Sequence, residues 1–388
     1  MKILCILTVF FIVLIAQAQI VNIPDANFKN ALVTENVVDI DGDGIGDIPV
    51  DTNNDGEIQE SEAEIVEDLI VSYFDILSIE GIGSFINLLK LKCDNNLLST
   101  IDISLNTSLR GLYCGSNNLN ELDVSQNLNL SFLWCDRNEL NSLDVSQNTN
   151  LINLNCKLNN LSELDVSKHL NLSTLNCSFN NLSELDVSQN LDLTTLYCGG
   201  NNLSNIDLSN NTKIFFFTCS GNNFTELDLS YNVNLYWFMC HDTEQLEYLD
   251  LRNGGNDGLS LMWVHNTPNL RCILIDNESE ANSEECGFPT SGWCKDDNDL
   301  YIETMEDCVL ATKDNTFFDF IIYPNPIQNI LFIEAQEQIE GIKIYSLEGR
   351  FITDSTKNRI DVSQLQAGMY FVQVTIEGTQ QIKKFIKN

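Results

Sequence analysis

Residues 130–150 read Leu130-Ser-Phe-Leu133-Trp-Cys135-Asp-Arg-Asn138-Glu-Leu140-Asn-Ser-Leu143-Asp-Val145-Ser-Gln-Asn148-Thr-Asn150. The same pattern recurs before and after at one interval. Cys93, Cys114, Cys135, Cys156, Cys177, Cys198, Cys219 and Cys240 stand 21 residues apart without exception. Asn96, Asn117, Asn138, Asn159, Asn180, Asn201 and Asn222 follow three positions after a cysteine, and Asp102, Asp123, Asp144, Asp165, Asp186, Asp207 and Asp228 nine positions after. Asp250 comes one residue late, which marks an insertion in the eighth unit.

A fixed period of this length means stacked coils. Alternation around Leu133 and Cys135 makes a short strand with those two side chains inward. One coil cannot bury its own apolar side, so neighbours must stack into a parallel ladder with a continuous core. The cysteines, all facing the same core, then serve as small apolar side chains and stay reduced. The aspartates alternate with inward Leu and Val and so face outward, where they can bond nearby backbone groups. Structure and solubility are the favoured reading of that column over cation binding. The positions flanking the inward leucine face outward too. One column holds Phe132, Asn153, Thr174, Thr195, Phe216 and Trp237; the other holds Lys92, Tyr113, Trp134, Asn155, Asn176, Tyr197, Thr218 and Met239. Rows of exposed aromatics mark binding surfaces. Tyr113, Phe132, Trp134, Asn155, Asn176, Tyr197 and Trp237 are therefore the candidate contact residues.

The unit L-x-x-L-x-C-x-x-N-x-L resembles the leucine-rich repeat with Cys in the third Leu slot. Its second half, Leu140-x-x-Leu143-x-Val145-x-x-Asn148, nests the same spacing, as in the short bacterial class of these repeats. The resemblance covers residues 69–276 and implies a mainly β solenoid with capped ends, binding through its concave face. His169 fills the slot of the second Asn of its unit.

The ends differ from the middle. Lys2, the apolar run Ile3–Ile15 and Ala16-Gln17-Ala18 read as a signal peptide over residues 1–18. That run is short of the roughly 20 residues a membrane span needs, and no later stretch is long enough. Residues 19–68 are strongly acidic. Ile23-Pro24-Asp25-Ala-Asn27-Phe28, followed by Leu32, reads as a capping helix. Asp51, Asn53, Asp55, Gly56, Glu57 and Glu62 occupy every key slot of an EF-hand calcium loop. Asp39, Asp41, Asp43 and Gly44 repeat its first half, but Val50 stands where the closing carboxylate belongs. Calcium is the expected cofactor, in a structural role.

Residues 277–316 leave the period. Cys272, Cys286, Cys294 and Cys308 suggest two disulfides in an exported chain, with three pairings open. The resemblance to related repeat proteins favours Cys272 with Cys308 and Cys286 with Cys294. Trp293 is expected over the end of the core. From residue 317 to 388 the charge is nearly balanced, and short alternating strands separated by turns read as a small β-sandwich. Tyr323-Pro-Asn-Pro326, Gly341-Ile-Lys-Ile-Tyr345, Gly368-Met-Tyr370 and the Lys383–Lys387 ending resemble the type A C-terminal sorting domain of the type IX secretion system. That implies passage through the periplasm to the outer surface or the medium, and the secretion machinery as a partner.

The net charge of −36, from 56 acids against 20 Lys and Arg, repels phosphates and argues against nucleic acid. Three histidines and no nucleophile or metal-protease motif leave no basis for catalysis. The function expected is binding of an extracellular protein or glycan. The alternatives are a hydrolase-associated protein or a structural coat protein.

Overall fold

The computed structural model describes residues 19–254, 256–281, 286, 292–304, 320–335, 338–347, 350–376 and 379–388. The signal-peptide reading of residues 1–18 lies outside them. Eleven parallel strands of three residues each run from Asp68–Ile70 to Gly292–Cys294 in one sheet. Register puts the inward residues in one column: Leu91, Leu112, Leu133, Leu154, Leu175, Leu196, Phe217, Phe238 and Met262 pair in sequence, and Trp293 closes the row. The first nine are fully buried, and so are the eight periodic cysteines, all free thiols. Burial pushes the thiol of Cys135 far above its ordinary range, so it stays protonated and inert.

The ladder runs beyond Asp276, where the sequence placed its end. Leu261–Trp263 and Gly292–Cys294 continue the main sheet. A second parallel sheet forms from Glu226–Asp228, Tyr248–Asp250, Cys272–Leu274 and Leu300–Ile302. The segment at Leu270–Asp276 therefore belongs to the second sheet and not to the end of the first. The period disappears because loops lengthen and Met, Val, Trp and Tyr replace Leu and Cys, while the inward geometry persists. Trp293 is buried in the last strand, donating Nε1–H to the Leu259 carbonyl at 2.7 Å. Cys286 and Cys294 are bonded to each other, as expected. Cys272 is also disulfide-bonded; its expected partner, Cys308, lies outside the described residues.

Two asparagine columns hold the turns. In the first, Asn138 Nδ2 donates to the carbonyls of Cys135 in its own coil and Cys114 in the preceding one, both at 3.1 Å. Its Oδ1 accepts from Leu119 N at 3.0 Å. In the second, Asn148 Nδ2 donates to Val124 O and Asn127 O, both at 2.9 Å. The same bonds recur coil after coil in both columns, for example at Asn180 and Asn190. His169 takes the place of an asparagine in the second column, its Nε2 lying 3.0 Å from Val145 O. The aspartate column is structural as well: Asp123, Asp144, Asp165 and Asp186 each accept from the backbone N–H two residues on, at 2.8–2.9 Å.

The first coil is covered by the N-terminal segment. The helix Ala26–Thr34 is capped by Asp25, whose Oδ1 accepts from Phe28 N, and it buries Phe28, Ala31 and Leu32. The other oxygen of Asp25 accepts from Leu77 N and Ser78 N, tying the helix to the first coil. Val37 and Asp39 exchange backbone bonds with the edge of the first strand, removing a free edge that would invite pairing with another chain. Residues 320–388 form a separate β-sandwich core. A three-stranded and a four-stranded antiparallel sheet enclose Leu331, Ile344, Val372 and Phe385 among others.

Two outcomes follow from these contacts. Asn148→Ala removes two hydrogen bonds, leaving the Val124 and Asn127 carbonyls only their backbone donors, Asn127 N and Leu130 N, and should cost about 2 kcal/mol; Asn148→His should cost clearly less, because His169 already fills the same role one coil on. Urea titration of the three proteins checks the order. The second concerns Asp299, which is 1% exposed with Oδ2 unpaired among the described residues. Burial and the nearby Asp296 push its carboxyl up to about 7. The folded state then binds this proton more tightly than the unfolded chain, whose Asp titrates near 3.9. Stability must fall as pH rises between about 4 and about 7. In melting scans, Asp299→Asn should flatten that decline.

Candidate functional site

The face of the main sheet opposite the Leu and Cys columns is the candidate site. Register sets its columns as the period required. Phe132, Asn153, Thr174, Thr195, Phe216 and Trp237 pair in sequence on one side of the inward residue, and Tyr113, Trp134, Asn155, Asn176, Tyr197, Thr218 and Met239 on the other. Phe132 and Trp134 are about 40% exposed, and the remaining candidates are half-buried against their neighbours.

Aromatic side chains gather at two places. Near the N-terminal end, Tyr113 meets Trp134 edge to face at 5.2 Å, and Trp134 Nε1 donates to Asn153 Oδ1 at 2.9 Å, fixing the indole plane. Near the other end, Phe216 lies 5.7 Å from Trp237. Phe215 and Tyr236 stack there with an interplanar angle of 5° at 4.6 Å. Trp263, His241 and His265 form a cluster of three rings, the indole 4.7 and 4.8 Å from the imidazoles and the imidazoles stacked 5.3 Å apart. The sequence reading missed these last five. Phe215 and Tyr236 keep the 21-residue interval one position upstream of the chosen column, so the signal existed. Trp263 and His265 lie past the break in the period and offered none.

Between the two groups, Asn155, Asn176, Thr174, Thr195, Tyr197 and Thr218 supply amides and hydroxyls. Asn155 Nδ2 donates to Asp136 Oδ1 at 3.0 Å. A depression of about 500 Å³ opens beside Tyr197, lined by Phe179, Gly200, Gly221, Met239 and His241. Gly200 has φ +67°, and a Cβ there would come within 2.6 Å of the Phe179 ring. Glycine thus keeps that depression open. Asp242 at its rim holds its carboxyl below the usual range through a bond from Asn266 and another with His241.

The acidic cap holds two loops built alike. Asp51 Oδ1 accepts from Asn54 N and Oδ2 from Gly56 N; Asp39 repeats both bonds with Gly42 N and Gly44 N. Asn53 and Asp55 each accept from the N–H two residues on, as do Asp41 and Asp43. The loops differ in what surrounds the oxygens. Glu62, 6% exposed, turns into the Asp51 loop and accepts from Thr52 N, Asn53 N and Gln59 N. The Gln59 amide donates to both oxygens of Asp55. In the Asp39 loop the carboxylates of Asp39, Asp41 and Asp43 come within 4.8 Å of one another. Lys92 Nζ reaches Gly44 O at 3.2 Å beside them. The Asp51 loop has the fuller set of oxygen donors, with Asp51, Asn53, Asp55, the Glu57 carbonyl and Glu62; the Asp39 loop has the tighter grouping.

Residues 321–388 match the family described as the secretion system C-terminal sorting domain. The tail is a sorting domain. It directs this solenoid chain to the outer cell surface or into the medium, and no helix among the described residues is long and apolar enough to cross a membrane. No curated protein matches the chain significantly. Among solved structures it is similar to the functional domain of InlJ from Listeria monocytogenes, described as including a cysteine ladder. Identity is 22%, over 86% of this chain and 93% of that one, with a TM-score of 0.42. It is similar also to internalin C2 from Listeria monocytogenes, at 18% identity over 58% of this chain and 98% of that one, TM-score 0.47. A leucine-rich-repeat protein from Leptospira interrogans matches at 16% identity over 56% and 79%, TM-score 0.39.

Proposed function

We propose that the exported solenoid is a recognition protein that binds an extracellular protein or glycan through the open face of its main sheet. The observation carrying this reading is the register of that face. Outward aromatics from separate coils gather into two groups, with half-buried amides and hydroxyls between them. Aromatic rings supply contact area at little cost in conformational entropy, and they are enriched where partners meet. Replacing Tyr113 and Trp134 together with Ala should weaken capture of the cell-surface ligand at least tenfold and leave the melting temperature within a few degrees, because both project outward. Unchanged capture by a folded double variant would remove the face from consideration.

The same proposal includes calcium in the N-terminal cap. Support comes from the buried carboxylates of Asp51 and Glu62, 1% and 6% exposed, in a loop whose donor order suits an oxygen-seeking cation. Calcium bound there would offset their mutual repulsion and stiffen the covering of the first coil. Melting the protein with calcium and with a chelator should show a higher temperature with calcium, and Glu62→Gln should abolish most of the difference. Loss of the difference in Asp39→Asn instead would assign the ion to the other loop.

A further inference from the structure

The open face has an electrostatic character that the rest of the molecule lacks. The chain carries a net charge of −36. Yet none of the positions flanking the inward column is charged from Gly111–Tyr113 through Leu261–Trp263. Charges stand just outside these positions, at Arg110, Asp136, Arg137, Lys157 and Asp242, and in the first two strands, where Lys90 pairs with Asp68 at 2.5 Å. The middle of the strip is polar without being ionic. The hydroxyls of Thr174, Thr195, Tyr197 and Thr218 have no hydrogen-bond partner among the described residues, and the Asn176 amide nitrogen has none either, its Oδ1 alone accepting from Ser178 N.

From this we infer that the strip binds an uncharged glycan chain laid along the solenoid axis, across the strands, with sugar rings stacked at the two aromatic groups. The inference rests on open-face recognition and names the ligand class. Three features favour it over a protein partner. A sugar hydroxyl both donates and accepts, as do the unpaired threonine and tyrosine hydroxyls that would face it. Protein hot spots are built from Trp, Tyr and Arg and are poor in Thr, whereas the centre of this strip is Thr and Asn. A protein surface brings charges that need counter-charges or water, and the strip supplies no counter-charge. The spacing also fits. Five strand intervals separate Trp134 from Trp237, roughly 24 Å at about 4.8 Å each. One coil thus advances by about the length of one residue in an extended sugar chain. The depression kept open by Gly200 and Gly221 leaves room beside the strip for a branch or substituent.

The test is calorimetric titration of the full chain with neutral hexasaccharides, namely cellohexaose, laminarihexaose, mannohexaose and xylohexaose. Heparin-derived hexasaccharide serves as the anionic comparison. The expected result is binding of at least one neutral sugar, with an affinity that low and high salt leave unchanged. Trp134→Ala and Trp237→Ala should each weaken it roughly tenfold. The near-isosteric Thr195→Val, which cannot disturb the core, should weaken it about threefold. Failure of every neutral hexasaccharide overturns the glycan assignment; a protein ligand whose capture is lost in Trp134→Ala would then leave open-face recognition standing. Heparin binding that salt abolishes overturns the assignment as well. A neutral sugar whose binding none of the three variants alters overturns both the ligand class and the face.

Discussion

The solenoid depends on side-chain amides that donate to backbone carbonyls of two successive turns. Strands of three residues leave most of each coil outside any sheet, so its carbonyls have no regular partner. A buried carbonyl without a donor is costly. Asparagine meets this need because its amide has two N–H bonds, one for the coil that owns it and one for the coil before. The bonds run in one direction along the stack. They set the interval between coils, and that interval sets which side chains stand next to one another on the outer face.

The second asparagine column meets only half of its own requirement. The Oδ1 atoms of Asn106, Asn127, Asn148, Asn190, Asn211 and Asn232 are buried and accept from nothing among the described residues. His169 follows the same rule. Its Nε2 must carry the proton to donate to Val145 O, which leaves Nδ1 as a bare acceptor in line with the amide oxygens. The requirement at this slot is therefore a donor aimed at the preceding coil, and either side chain provides it. The same economy explains the aspartates, whose charge matters less than their reach to the second N–H along the chain.

Much of this was legible because the period is strict. Cys, Asn and Asp recur at one interval, and each has a geometric duty that no other residue type discharges as well. The strand register, the inward column and the outward columns followed directly. Legibility ended where composition loosened. Met262, Val264 and Trp293 occupy inward places that Leu and Cys hold elsewhere, and packing asks only for apolar volume there, so no residue identity announces the coil. The second sheet was invisible for another reason. Leu122-Asp-Val124 and Leu227-Asp-Leu229 look alike in sequence, but only from Glu226 onward do neighbouring coils come into strand pairing. The calcium-type loops were legible as spacing. Which oxygens come together was not, since that depends on the Gln59 amide and on Lys92 from the second strand.

The eight thiols give export a timetable. In the finished fold each is sealed from solvent, so an oxidising exterior has nothing to attack. A nascent coil enjoys no such shelter. Neighbouring sulfurs sit one strand apart, and any chain that meets oxidant before its coils close could cross-link in the wrong order. The ladder can therefore survive outside the cell only if stacking outpaces oxidation.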